Sequence, residues 1–252
     1  LKKIAECSFS VVKCDAAELV DTARVVGAVV AKGSPLAGVW HAAGVLADGL
    51  LRGQNASTIK RVIAPKVAGA WALQRAAATT PLDTCVLFSS IAALIGGGGQ
   101  SNYAAANGML DALGACRRVR AINATSVQWG PWAAVGMAAD ESINARIQAS
   151  GIGLISLEQG TLAFQATLQP AVSGVMSLVV LTWSKFLSLL PEVPPLLANY
   201  ASRKGAVAAG GPQGEVKEIT LEMIQETLKQ TTGGEVDPDA PLMESGLDSL
   251  GA

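Results

Sequence analysis

The sequence predicts an α/β fold, a parallel sheet with helices on both faces, and three observations predict it. Short strand-like runs alternate with longer runs whose apolar residues recur at helical spacing. Half the residues are hydrophobic and 15% are charged, the balance of a globular chain. The length, 252 residues, suffices for one such domain with a core, plus a smaller piece.

The elements follow in order. SFSVVKCD (8–15) reads as a Val-rich strand, and AAELVDTARVVGAVVAKG (16–33) as a helix ending on Gly33. LAGVWHAAG (36–44) is a second strand that ends in small residues. Residues 55–78 are helical, with Ser57 and Thr58 as caps and Pro65 predicting a kink. LDTCVLFSS (82–90), bounded by Pro81, is a third strand, and residues 100–121 form a long helix. INATSVQWG (122–130) is a fourth strand, stopped by Gly130 and Pro131. Helical stretches over 141–150 and 156–169 precede a fifth strand, VMSLVVLTW (175–183). Tyr200 to Gly214 is small, Gly/Ala-rich and polar, as a linker is; an amphipathic helix (215–230) and an acidic, Pro-containing stretch follow. The predicted division is therefore a domain over 1–199, a linker over 200–214 and the start of another domain over 215–252.

Several function classes fall away. A net charge of −1 without a basic aromatic patch gives no footprint for nucleic acid. No apolar run reaches membrane-spanning length, and the N-terminus lacks a signal-peptide pattern. Cys7, Cys14, Cys85 and Cys116 are widely spaced and form no CxxC pair, so they read as buried, reduced thiols of an intracellular, cytoplasmic protein. His41 is the only histidine, which argues against a His-based metal site and for a core or turn histidine. The chain starts without Met in what reads as the end of a helix and stops at DSLGA, so it reads as a fragment.

Chemistry concentrates in FSSIAALIGGGGQSNYAAAN (88–107). The glycines do not fit a dinucleotide fingerprint: from Gly96 and Gly98 the third glycine falls on Ser101, and from Gly97 and Gly99 on Asn102. A P-loop needs a lysine after them, and none follows. They read instead as a spacer between Ser90, at the carboxyl end of a strand, and Tyr103, in the first turn of the next helix. Asn107 lies one helical turn on, on the same face. A hydroxyl, a phenol and an amide converging there suit carbonyl reduction, which needs one donor to polarise the carbonyl and another to deliver a proton. A nearby ammonium, Lys66, is expected to lower the phenol's pKa.

These stretches, with HAAGVLADGLL, APKVAGAW and QWGPWAAVGMA, resemble the ketoreductase domain of polyketide synthases. That domain is close to the one in animal-type fatty acid synthases, and both are short-chain dehydrogenase/reductase relatives. The family spaces its lysine 24 residues before the serine and its tyrosine 13 after, as Lys66, Ser90 and Tyr103 are spaced. Ordinary short-chain reductases carry Y-x-x-x-K; here Tyr103 is followed at that spacing by Asn107, the lysine–asparagine exchange of the synthase type.

The resemblance, over residues 1 to about 190, implies a Rossmann-like sheet whose first strands and glycine-rich pyrophosphate turn lie upstream, so that this chain alone is marginally stable and binds cofactor poorly. It implies NADPH-dependent reduction of a carrier-bound β-ketoacyl thioester. Tyr103 would donate the proton, Ser90 bind the carbonyl oxygen, Lys66 tune Tyr103 and Asn107 support a proton relay. Asp15 would lie near the adenine, and Ala42, Ala43 and Gly44 beside the ribose and nicotinamide, with Lys66 and Tyr103 also touching cofactor. Asp48, the surviving aspartate of a Leu-Asp-Asp motif, and Ile95, where the opposite stereochemical class carries Trp, imply a D-3-hydroxyacyl product. GLDSL (246–250) resembles the attachment site of an acyl carrier protein, with Ser249 taking 4'-phosphopantetheine. The other domains of the same synthase are the implied partners. The alternative is a catalytically silent ketoreductase-like scaffold that docks carrier domains.

Overall fold

A chain crossover separates each strand of the main sheet from the next, the connection that parallel strands require. The computed structural model describes residues 9–33, 35–133, 141–169 and 173–201. Cys7, most of the expected linker and carrier segment, and Ser249 lie outside the described residues. In chain order the elements are α1 (Leu19–Val30), β1 (Gly38–His41), α2 (Ala56–Ile63), a π-helical turn (Ala64–Ala68), α3 (Gly69–Ala76), β2 (Thr84–Ser90), the short α4 (Ala92–Ile95) and α5 (Ser101–Val119). They continue as β3 (Thr125–Trp129), α6 (Glu141–Ala149), β4 (Ile152–Gly153), α7 (Leu157–Thr167), β5 (Val175–Leu178), β6 (Val180–Leu181) and α8 (Trp183–Ser188), then a 3-10 turn (Pro195–Tyr200).

Among the described residues the main sheet has four strands in the order β1-β2-β3-β5, all parallel. His41 lies beside Leu87, and Ser90 beside Trp129, so the carboxyl ends of β1, β2 and β3 share one edge. Side chains alternate across β2 with the period of two that a strand imposes. Cys85 and Leu87 pack with Ala70, Leu110 and Ala124 on one face, while Val86 packs with Val127, Trp129 and Ile155 on the other. Helix α5 lies close to the sheet because Gly114 has no side chain: a Cβ there would stand 2.6 Å from the Gly174 carbonyl oxygen and 3.1 Å from the Ser126 nitrogen.

Four expectations are corrected. Residues 9–15 form no strand, because no described segment offers them a ladder; Phe9 and Val11 are exposed, and the segment is tied to α1 by Arg24 donating to the Lys13 carbonyl and by the Asp15 N–H donating to Asp21 Oδ2. Cys14 is exposed for that reason, and Cys116 because it sits on the outer side of α5; of the described thiols only Cys85 is buried. The cap of α2 is Asn55, not Ser57 or Thr58; its Oδ1 accepts from both of their backbone N–H groups, and the Thr58 hydroxyl accepts from the Asn55 N–H to close a capping box. The run 175–183 is not one strand: β5 pairs with β3, whereas β6 turns away to pair antiparallel with β4. Tyr200, the first residue of the expected linker, stacks on Trp183, with ring centroids 3.9 Å apart and 8° between planes.

Candidate active site

The strand–spacer–helix arrangement places Ser90 and Tyr103 together. Ser90 is the last residue of β2, and its Oγ accepts from the Ala92 N–H at 3.2 Å as the chain turns into α4. Gly96 and Gly99 have φ of +80° and +68°, the left-handed region that favours glycine, and these turns reverse the chain into α5. Tyr103 then falls in the first turn of α5, 6% exposed, its ring packed with Val62, Val67, Ala92 and Ala106. Asn107, fully buried one turn later, donates from Nδ2 to the Tyr103 carbonyl at 2.8 Å and leaves Oδ1 without a hydrogen-bond partner.

Lys66 reaches the same place from α2 and α3. Pro65 has no N–H to give to an α-helical ladder. The chain answers with the wide π turn over Ala64–Ala68, at the position where Pro65 predicts a break in the regular helix. The turn presents Lys66 inward, 3% exposed, with Nζ donating to the Phe88 carbonyl at 2.9 Å and lying 5.3 Å from the centre of the Tyr103 ring. At the end of β1, the buried His41 has its Nε2 2.8 Å from the Lys66 carbonyl oxygen. A carbonyl only accepts, so Nε2 carries the proton, and burial holds the imidazole below its ordinary pKa.

The electrostatics differ from expectation. Burial pushes the Tyr103 phenol above its ordinary value, the Asn107 and Ser90 side chains pull it back, and the Asp48 carboxylate pushes it up again. The Lys66 ammonium, whose Nζ donates to the Phe88 carbonyl 5.3 Å from the ring centre, does not bring the phenol below its ordinary value, because burial outweighs what favours the phenolate. Burial brings Lys66 itself down to about 8, opposed by the Asp111 carboxylate.

The other expected residues surround this centre. Ala42, Ala43 and Gly44 follow β1, and a Cβ on Gly44 would meet Lys66 Cε at 2.9 Å and Nζ at 3.2 Å. Asp15 is exposed in the turn before α1, where its Oδ1 accepts from the Ala17 N–H; its neighbour Ala16 approaches Gly69 beside His41. Asp48 Oδ2 accepts from Gln100 Nε2 at 3.0 Å. Ile95 packs with the cluster of Phe186, Leu187 and Leu197.

Sequence reasoning missed four polar residues. Asn102, Gln54 and Gln100 tie the loop after β1 to the start of α5. Below Lys66, Asp111 accepts from Ser126 Oγ at 2.6 Å and Gln128 Nε2 at 2.8 Å. Only the position of Asn102, next to Tyr103, was a signal available beforehand.

The KR domain model matches residues 1–134 of this chain. The chain is 36% identical over 275 residues to the spectinabilin polyketide synthase system protein NorB of Streptomyces orinoci, an alignment that takes in 100% of this chain and 12% of that protein. It is 35% identical over 260 residues to the phthioceranic/hydroxyphthioceranic acid synthase of Mycobacterium bovis, covering 96% of this chain and 12% of the other. The structure of PlmKR1, a ketoreductase from the first module of phoslactomycin biosynthesis in Streptomyces sp. HK803, superposes with a TM-score of 0.71 at 32% identity, over 76% of this chain and 44% of that one. The chain thus spans 12% of the length of these curated relatives.

Proposed function

This chain belongs to the KR domain family, and from that premise we propose that it reduces a carrier-bound β-ketoacyl thioester to the 3-hydroxyacyl thioester with NADPH, inside a multifunctional polyketide synthase. The observation that carries the reading is the gathering of Ser90, Tyr103, Asn107 and Lys66, from a strand end, a helix start and a π turn, at the carboxyl edge of a parallel sheet.

The residues present fit a nicotinamide dinucleotide. The turn Ala42–Gly44 is itself made of small residues, and the space beside Lys66 Nζ is one that a Cβ at position 44 would fill. Those residues, with Lys66 and Tyr103, would hold the nicotinamide and ribose, and Asp15 would lie towards the adenine. When bound, the cofactor supplies hydride to the carbonyl carbon. Ser90 donates a hydrogen bond to the carbonyl oxygen, and Tyr103 gives that oxygen its proton. The raised phenol pKa keeps Tyr103 protonated at neutral pH, the form that an acid requires. Asn107 Oδ1 offers the acceptor through which a water returns the proton. Lys66 holds the ring face and lines the cofactor side.

The product is D-configured, with Asp48 held by Gln100 as the group that selects the substrate's entry and Ile95 leaving out the bulk of a Trp. Ser249 carries 4'-phosphopantetheine, a reading supported by the GLDSL motif. The partners are the other domains of one synthase in the cytoplasm, for which the free thiols Cys14, Cys85 and Cys116 are suited.

The test uses the whole protein with NADPH and a β-ketoacyl pantetheine thioester, following nicotinamide absorbance and resolving the product on a chiral column. Turnover to the D-alcohol that Tyr103→Phe abolishes is the expected result. A folded parent that consumes no NADPH sinks the reductase reading in favour of the scaffold, and mainly L-alcohol sinks the stereochemical one. Mass spectrometry after incubation with a phosphopantetheinyl transferase and coenzyme A reads Ser249; an unmodified serine overturns that assignment.

A further inference from the structure

Behind the four side chains runs a second set of polar contacts that none of these steps uses. Asn102 is 4% exposed and immediately precedes Tyr103. Its Oδ1 accepts from the Tyr103 N–H at 2.7 Å, one of the donors that a helix start leaves without an internal partner. Its Nδ2 donates to the Ala47 carbonyl at 2.7 Å and to Gln54 Oε1 at 3.0 Å. Both amide protons are thereby used.

Gln54 continues the chain of contacts. Its Nε2 donates to the Gly49 carbonyl at 2.9 Å, and its Oε1 also accepts from the Thr58 hydroxyl at 2.8 Å. Gln54 stands just before Asn55, the cap of α2, and α2 runs on into the turn that carries Lys66. The Gly49 N–H donates in turn to the Gly99 carbonyl at 2.9 Å. A single buried amide therefore contacts the start of the Tyr103 helix, the loop that carries Asp48 and the foot of the Lys66 helix. A helix cap needs only the first of these contacts. The other two cross between segments that nothing in the helix requires to be joined.

We propose that Asn102, acting with Gln54, is a positioning residue for the reduction: it fixes the Tyr103 end of α5 against the Asp48 loop and the Lys66 helix, so that phenol, ammonium and substrate loop keep one spacing. No side chain of similar size replaces it. Asp lacks the donors, Ala takes a partner from each of the Tyr103 N–H, the Ala47 carbonyl and Gln54 Oε1, and Gln is one methylene too long. The proposal rests on the reductase reading.

The experiment compares the whole protein with Asn102→Ser, which keeps an acceptor for the Tyr103 N–H but cannot reach Ala47 or Gln54, with Gln54→Leu, and with the double variant. Each is first checked for an unfolding transition like the parent's. Expected for Asn102→Ser is a fall in kcat of at least tenfold, with KM for NADPH within twofold of the parent. Gln54→Leu should cost several-fold alone and nothing further on the Asn102→Ser background, the signature of two residues acting as one unit. A kcat for Asn102→Ser within twofold of the parent overturns the proposal, as do fully additive losses in the double variant. Should the parent reduce nothing, the reading of function fails separately, and the tyrosinate absorbance difference between each protein and its Tyr103→Phe counterpart decides. Loosening the Tyr103 end of α5 should lower the phenol's titration midpoint by at least half a pH unit, and an unchanged midpoint overturns the proposal.

Discussion

Gly44 and Lys66 share one space: a Cβ on residue 44 would come within 2.9 Å of the lysine Cε and 3.2 Å of its Nζ. The obstructing atoms are the far end of a flexible side chain, so Gly44→Ala moves the lysine instead of the backbone. It also strains the hydrogen bond from Nζ to the Phe88 carbonyl. The expected outcome is a loss of reductase activity of about ten- to a hundredfold, the scale of a displacement near 1 Å at a reacting centre. The thermal midpoint should change little. Steady-state rates and a melting curve on the same sample check both halves.

Tyr103→Phe keeps the ring among Val62, Val67, Ala92 and Ala106 and removes only the hydroxyl. Turnover should fall by about 10²- to 10⁴-fold, the contribution of a positioned acid. The destabilisation should stay under about 1 kcal/mol, since the packing is unchanged. A variant that retains more than a tenth of the parent rate would move the proton donor elsewhere.

The pH dependence separates Lys66 from Tyr103. Burial lowers Lys66 to about 8 from 10.5, so the folded protein sheds this proton before the unfolded chain does. Its contribution to stability therefore rises as pH climbs from about 8 to 10.5, and burial of the charged form costs stability below that window. Activity runs the other way, because the ammonium over the phenol ring is lost above pH about 8. The raised phenol of Tyr103 remains protonated there and cannot cause the fall. The profile of kcat/KM should show a single alkaline limb near pH 8. In Lys66→Arg, whose guanidinium keeps its charge, that limb should vanish from whatever activity remains.

Gly114→Ala opposes two effects. An alanine inside α5 would gain about 1 kcal/mol of helix propensity. Its Cβ, however, would stand 2.6 Å from the Gly174 carbonyl oxygen and 3.1 Å from the Ser126 nitrogen, backbone atoms that hydrogen-bond to each other where β3 meets the residue before β5. Neither can step aside cheaply, so the steric cost wins. The variant should be less stable by about 1–3 kcal/mol, as overpacked sites are. Urea unfolding measures it.

What was legible in the sequence followed the range of the interactions. Ser90, Tyr103 and Asn107 share one strand–turn–helix unit, where strand end and helical spacing suffice to place them. Lys66 comes from a different element: the chemistry called for an ammonium on the preceding helix and the resemblance supplied its spacing, since no local period links it to residue 103. Residues 9–15 show the opposite failure: a Val-rich run favours a strand, but a strand is a pairing, and pairing is not written in the run itself. The choice of Asn55 over Ser57 and Thr58 turned on where the helix begins, which neighbouring cap-forming residues leave open. Asn102, Gln54 and Gln100 went unnoticed because amides that join loops have no spacing rule.

The wide turn at Ala64–Ala68 makes chain length part of the candidate active site. A π turn holds one residue more than its α-helical equivalent, and each residue advances a helix by about 100°. Val62 before the turn and Ala70 and Ala72 after it are all buried, with Lys66 turned inward between them. Deleting a single residue there would restore an ordinary helix and rotate one side against the other, so either the lysine or the alanines must swing outward. In related sequences, a one-residue gap between the positions of Asn55 and Ala76 should accordingly mark a chain that has given up this chemistry, even where every reactive side chain is still spelled out.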